Sequence, residues 1–186
     1  YGAPYASIHR ADIHRLLTQA LLREDRVHLC LGQGVATCGE ADDAVTLQTS
    51  LGVKVEGDLL IGADGVWSQV RDQLLHDGAP RPTGHLAYRA MLRTDALPPA
   101  AQANQVTAWL GPRLHVVQYP VRGGTWMNVV AIVHGAVPPD LQSWDHSGHA
   151  DDLARALGPV CRPLHALIDA VPGASALLNS QHKALF

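Results

Sequence analysis

Apolar residues recur at helical spacing near the amino end of the chain. Ile13, Leu16, Leu17, Ala20 and Leu21 share one face, the period of an amphipathic helix. Asp12 stands near its start, where a carboxylate meets free backbone N–H groups and the helix dipole. Residues 26–31 (RVHLCL) alternate and predict a strand. Residues 39–43 (GEADD) predict a turn, 44–49 (AVTLQT) a second strand, and Leu51-Gly52 another turn. Residues 58–65 (DLLIGADG) form a nearly continuous apolar run, the pattern of a strand buried on both faces. A helix over 66–75 follows, with Val66, Val70 and Leu74 on one side.

The pattern changes at residues 76–84 (HDGAPRPTG), a Pro/Gly-rich connection that reads as a domain boundary. Four strand-like runs follow, at 86–93 (LAYRAMLR), 105–110 (QVTAWL), 114–121 (LHVVQYPV) and 125–133 (TWMNVVAIV). The links after the second and third are short and rich in Gly and Pro, which predicts an antiparallel sheet. Its strands are mixed rather than strictly alternating. Residues 135–149 read as a loop, 150–158 and 161–171 as two short helices, and 180–186 (SQHKALF) as a last strand. No repeat or low-complexity segment interrupts the series.

Composition narrows the class. The 186 residues are 47% apolar, enough for a core and too apolar for wholesale disorder. The net charge is −3 with both signs interspersed, so no basic stripe points to nucleic acid. No run reaches membrane-spanning length and no signal peptide opens the chain. Cys30, Cys38 and Cys161 are widely spaced and odd in number. That argues against a disulfide scaffold and for a reducing, cytoplasmic compartment. The chain opens on Tyr1 and closes in a strand-like run, so a piece of a longer protein is expected.

Several residues invite chemistry. In Asp64-Gly65-x-x-Ser68-x-x-Arg71, Gly62 and Gly65 remove side chains where the backbone bends, so a flat cofactor or its phosphates could approach. The other reading makes Asp64 a helix cap and Arg71 half of a surface ion pair. His115 and Tyr119 are four apart, on one face of a strand and about 13 Å apart at about 3.3 Å per residue. They suit the two ends of a ring held over that face, or an ordinary sheet histidine and tyrosine. Arg89 could meet a carboxylate or make an ion pair at the domain seam. His146 and His149 lack the further ligands of a metal site, so no metal is expected. Asp151 and Asp152 read as a helix start. His9 and His14 would diverge on a helix. Cys38 has no basic neighbour to make it reactive, and no Gly-x-Ser-x-Gly elbow is present.

Residues 59–71 (LLIGADGVWSQVR) resemble the Asp-Gly fingerprint of the single-component FAD monooxygenases of the para-hydroxybenzoate hydroxylase type. Residues 1–17 (YGAPYASIHRADIHRLL) resemble that family's His-Arg-x-Asp-Leu segment, with Ile13 in place of the leucine. "TGHLAYRAMLR", followed by "WLGPRLHVVQYPVRGGTWMNVVAIV", resembles the substrate sheet of the branch containing 3-hydroxybenzoate 6-hydroxylase and salicylate hydroxylase. Its Gly-Pro-x-x-His-x-x-x-Tyr-Pro arrangement is closer to the former. The three matches run in the family's order over nearly the whole chain. The family's Gly-x-Gly-x-x-Gly turn for the FAD pyrophosphate and its later Gly-Asp segment are not in the sequence.

The resemblance implies an α/β fold: part of a Rossmann-like FAD-binding domain over 1–78, then a mainly antiparallel substrate-domain sheet with flanking helices over 79–186. It implies FAD as cofactor and NADH or NADPH as co-substrate. Arg10, Asp64 and Gly65 would face the flavin. His115 would take the phenolic proton, Tyr119 would hold the substrate oxygen, and Arg89 would assist binding. The implied reaction is hydroxylation of a phenolic aromatic acid by O₂, of the 3-hydroxybenzoate 6-hydroxylase kind, with salicylate 1-hydroxylase as the alternative. A competing expectation is a non-catalytic fragment or a binding or dimerisation module. The expected partners are a small phenolic substrate and O₂, with no nucleic acid and no membrane; a homodimer stays open.

Overall fold

The computed structural model describes residues 2–3, 5–41, 43–81, 83–135, 146–148, 150–171 and 176–179. The chain divides into two compact units, one of residues 1–16 and 82–186, the other of residues 17–81.

The larger unit is built on a six-stranded sheet. Its strands are β4 (His85–Arg93), β5 (Thr107–Gly111), β6 (Leu114–Val121), β7 (Trp126–His134), β8 (His146–Gly148) and β9 (Ala176–Asn179). They lie in the order β5-β6-β7-β4-β9-β8, and every pairing is antiparallel. The four central runs expected from the sequence are therefore strands, within a residue or two at their ends. β8 falls inside the expected loop at 135–149, and β9 was not expected. The strand expected at 180–186 lies outside the described residues.

Burial alternates strictly along β7 and largely along β4, where the sequence pattern is mixed. In β7, Met127, Val129, Ala131 and Val133 are buried while the residues between them are half-buried. In β4 the buried set is Leu86, Tyr88, Ala90 and Leu92, joined by Ala87. The helices α3 (Ala150–Leu157) and α4 (Arg162–Asp169) cover this face through Leu153, Leu157, Leu164, Leu167 and Ile168. Both arise where the 3.6-residue spacing predicted them. The alternation was hidden because the opposite face of the sheet also carries valine and isoleucine.

The smaller unit holds a three-stranded antiparallel sheet of β1 (Val35–Ala41), β2 (Ala44–Thr49) and β3 (Lys54–Gly57), and the helix α2 (Gln69–Leu75). The side chain of Gln73 ties α2 to β1, accepting from the Cys38 amide at 2.8 Å and donating to the Ala36 carbonyl at 3.1 Å. Two expected strands are corrected here. Residues 26–31 and 58–65 are irregular, and no described strand pairs with either. An apolar run becomes a strand only when a neighbour accepts its backbone hydrogen bonds. Leu59 and Ile61 are accordingly 76% and 77% exposed. The helix expected over 66–75 begins later, at Gln69, because Ser68 caps it.

The helix α1 (Arg10–Leu21) spans the division between the units and buries none of its residues. Its apolar stripe of Ile13, Leu16, Leu17 and Leu21 is exposed. No helix among the described residues is long and apolar enough to cross a membrane.

Candidate functional site

The site is set by register. His115 stands opposite Ile132, Val117 opposite Val130, and Tyr119 opposite Asn128. Across the next pairing, Val130 meets Arg89 and Asn128 meets Met91. Directly opposed residues in a sheet point to the same side. His115, Tyr119, Asn128 and Arg89 therefore share the face turned away from α3 and α4. Arg89 is level with Val117, midway between His115 and Tyr119, and two strand spacings away, about 10 Å at about 4.8 Å each. The three candidates from this sheet form a triangle that a substituted benzene ring could occupy.

All four side chains are half-buried. Among the described residues, no side-chain hydrogen bond engages His115, Tyr119 or Asn128. The Arg89 Nε atom is buried and lacks an acceptor there, and leaving such a donor unmet is costly. Arg89 makes none of the ion pairs found among the described residues. Further along the same face, Arg113 approaches His134 Nδ1 at 3.4 Å, and the His134 ring meets the His85 ring edge-on at 5.4 Å. The face is thus basic along one margin.

Arg10 is exposed at the first position of α1. Its segment is held at the Tyr119 end of β6, since Ser7 Oγ donates to the Pro120 carbonyl at 2.5 Å. Arg10, Arg89, His115 and Tyr119 all belong to the larger unit. Asp64 and Gly65 belong to the smaller unit.

Asp64 there braces the start of α2 beside its N-cap Ser68. Its Oδ2 accepts from the amides of Gln69 at 2.8 Å and Val70 at 3.2 Å, and its Oδ1 accepts from Ser68 Oγ at 2.5 Å. Ser68 Oγ in turn accepts from the Arg71 amide at 2.9 Å. Partial burial pushes the Asp64 carboxyl up, but these hydrogen bonds together outweigh it and hold it below its ordinary value. Arg71 pairs with Asp77, the surface ion pair of the plainer reading. The two glycines differ. A Cβ on Gly62 would come within 3.0 Å of the Val70 side chain, so this position serves packing against α2. Gly65 has φ of +80° and open space where a Cβ would point. Beside it, the Trp67 indole N–H is buried without an acceptor among the described residues. An open glycine and an unmet donor fit one side of a flat heteroaromatic group.

The sequence reading missed Asn128. A lone amide in the apolar run TWMNVVAIV was the available signal, but only the register places it beside Tyr119. No group of three or more His, Cys, Asp or Glu residues able to hold a metal occurs among the described residues.

Six antiparallel strands carry helices on one face and polar residues on the other. In sequence and fold the chain is a relative of the FAD-dependent aromatic hydroxylases. It is 35% identical to 3-hydroxybenzoate 6-hydroxylase of Polaromonas naphthalenivorans (strain CJ2), over 91% of this chain and 42% of that protein. It is 40% identical to 3-amino-4-hydroxybenzoate 2-monooxygenase of Streptomyces cremeus, over 85% of this chain and 38% of that protein. Among solved structures, a salicylate hydroxylase substrate complex superposes with a TM-score of 0.79 at 28% identity, covering 97% of this chain and 47% of that one. Klebsiella pneumoniae HpxO, complexed with FAD and uric acid, gives 0.72 at 25% identity, covering 93% and 42%. No protein-family model matches the chain. The chain spans less than half the length of the relatives it matches.

Proposed function

We propose that the chain is the central part of an FAD- and NAD(P)H-dependent monooxygenase that hydroxylates a phenolic aromatic acid, of the 3-hydroxybenzoate 6-hydroxylase kind. The observation that carries this reading is the shared face of His115, Tyr119 and Arg89, in a chain related to hydroxybenzoate hydroxylases. Residues 1–78 then belong to the FAD-binding domain and 79–186 to the substrate domain. Arg10, Asp64 and Gly65 would lie toward the flavin, with Asp64 holding the turn through its cap. When bound, FAD would supply the redox and oxygen chemistry that no side chain can provide.

The protein's own part is to position and to move a proton. A phenol has a pKa of about 10 by analogy with tyrosine, so at neutral pH it is a poor nucleophile. His115 takes the phenolic proton and raises electron density on the ring. Tyr119 holds the substrate oxygen, and Arg89 offers its unmet N–H to the carboxylate. The apolar floor of Val117 and Val130 between them seats the ring and excludes water. A cytoplasmic location fits the free thiols of Cys30, Cys38 and Cys161. Sedimentation of the whole protein decides whether it is a homodimer.

The test is His115→Ala in the full-length protein. Hydroxylation should fall about 10² to 10⁴-fold, the usual worth of a general base, while FAD content stays near wild type. Unchanged turnover rejects His115 as the base. A wild-type protein without flavin absorbance or hydroxybenzoate-stimulated NAD(P)H oxidation rejects the activity itself. The second reading, salicylate 1-hydroxylation, is favoured by the superposition on salicylate hydroxylase. Release of CO₂ on turnover separates the two.

A further inference from the structure

Two segments 110 residues apart are pinned together in the larger unit. Asp12, in the first turn of α1, accepts a fork from Arg122: Nε to Oδ2 at 2.7 Å and Nη2 to Oδ1 at 3.0 Å. Arg15 adds a second cation at 3.5 Å. The Arg122 hydrogen bonds hold the Asp12 carboxyl below its ordinary value against partial burial, with the charges of Arg122 and Arg15 adding to them. The Ser7–Pro120 hydrogen bond is a second pin a few residues away.

The hairpin side of the clamp is unusual. Arg122 sits in the turn between β6 and β7 with φ of +52°, followed by Gly123 and Gly124 at +65° and +84°. Left-handed backbone is natural for the glycines and strained for an arginine. The Thr125 hydroxyl closes the turn by donating to the Arg122 carbonyl at 2.8 Å. Glycine would relax this position, but it could not make the fork. Strain held in place by a specific side-chain contact points from geometry to role. Along the chain, Arg10 lies between Ser7 and Asp12, and Tyr119 directly precedes Pro120. Both pins thus bracket a flavin-side candidate on one segment and adjoin a substrate-side candidate on the other.

We propose that the Asp12–Arg122 ion pair is a positioning clamp that fixes the Arg10 turn of α1 against the Tyr119 end of β6. It rests on the roles given to Arg10 and Tyr119 above. Asp12 and Arg122 touch neither cofactor nor substrate in this scheme. They set the distance between the residues that do, and small displacements of reacting groups carry large rate penalties.

The test uses the full-length protein with Arg122→Gln, Asp12→Asn, the double variant, and Asp12→Glu. Amide hydrogen exchange of residues 8–13 should rise about tenfold in each neutral variant, with the melting temperature little changed, as for ion pairs within reach of solvent. The fraction of NAD(P)H oxidised that yields hydroxylated product should fall about 3 to 10-fold, an order expected for misplacement rather than loss of a catalytic group. The double variant should be no worse than the poorer single one, since residues in one interaction are not additive. Asp12→Glu should recover at least about half of the yield, because it keeps the charge. If a neutral variant does not fold, Arg122→Lys keeps the charge without the fork and should give intermediate exchange and yield.

Unchanged exchange in both single variants overturns the clamp. Raised exchange with wild-type product yield, or fully additive losses, overturns its positioning role. A wild-type protein that neither binds FAD nor oxidises NAD(P)H with hydroxybenzoate refutes the activity, and the positioning role falls with it; the exchange readout then decides whether the tie exists.

Discussion

Asp64 satisfies a local rule at a position that the proposed function also places toward the flavin. Its carboxylate meets two backbone amides at the start of α2 and the hydroxyl of Ser68. Asp64→Ala in the full-length protein should cost about 1 kcal/mol, the usual worth of an N-terminal cap, read by urea unfolding. The effect should depend on pH. The folded carboxyl titrates below its ordinary value of 3.8. Its contribution is therefore fully present above that value and is lost as pH falls through the lower folded value. The stability gap between wild type and Asp64→Asn should be open at pH 7 and should narrow in acid. A gap independent of pH would mean that the cap does not depend on charge. A capped turn was legible in DGVWSQVR, because capping is decided by neighbours in sequence; that Ser68 takes the cap position and that Arg71 pairs with Asp77 was not. The unmet Nε of Arg89 was not legible, because it depends on what three strands place around it.

At the scale of elements, β7 has a core face and a half-buried face that carries the proposed site. Val129 is 2% exposed and packs with the core, while Val130 lies between His115, Tyr119 and Arg89 on the site face. Val129→Ala should destabilise the protein by about 2 kcal/mol through lost burial and the cavity left behind. Val130→Ala should cost less than about 1 kcal/mol, since that face is only half-buried, and should instead raise KM for the aromatic substrate. Equal losses of stability would contradict the two-faced assignment. The strand was plain in TWMNVVAIV, but not which face was core. Both faces are apolar, so α3 and α4 had to be placed before the faces could be told apart. Residues 58–65 failed in the opposite way. Their composition is that of a buried strand, yet no described strand offers them a ladder.

At the scale of the molecule, the described residues leave a large apolar surface open to water. Leu17, Leu22, Leu31, Leu59 and Ile61 of the smaller unit are all well exposed, more than scattered surface leucines require. We expect the 186-residue chain on its own to bind a hydrophobic dye strongly and to retain no FAD through gel filtration. The full-length protein should do the reverse. A chain that stays dye-negative and carries one FAD would show that these residues suffice for the cofactor site. The clamp between Asp12 and Arg122 belongs to this scale too, because it joins the start of the chain to a hairpin formed 110 residues later.

The sequence by itself determined what is local or periodic: the helix at residues 10–21, the central strands, the two helices over the sheet and the turn after Asp64. It also set His115 and Tyr119 on one face, since a strand's period of two leaves no choice once the strand exists. Only the tertiary structure decided which face of the sheet is core, that Arg89 and Asn128 join that pair, and that Arg10 is held at the Tyr119 end. Those facts depend on strand register and on contacts between distant segments. Neither leaves a periodic trace along the chain, because the energy that selects them arises only when the strands and helices meet.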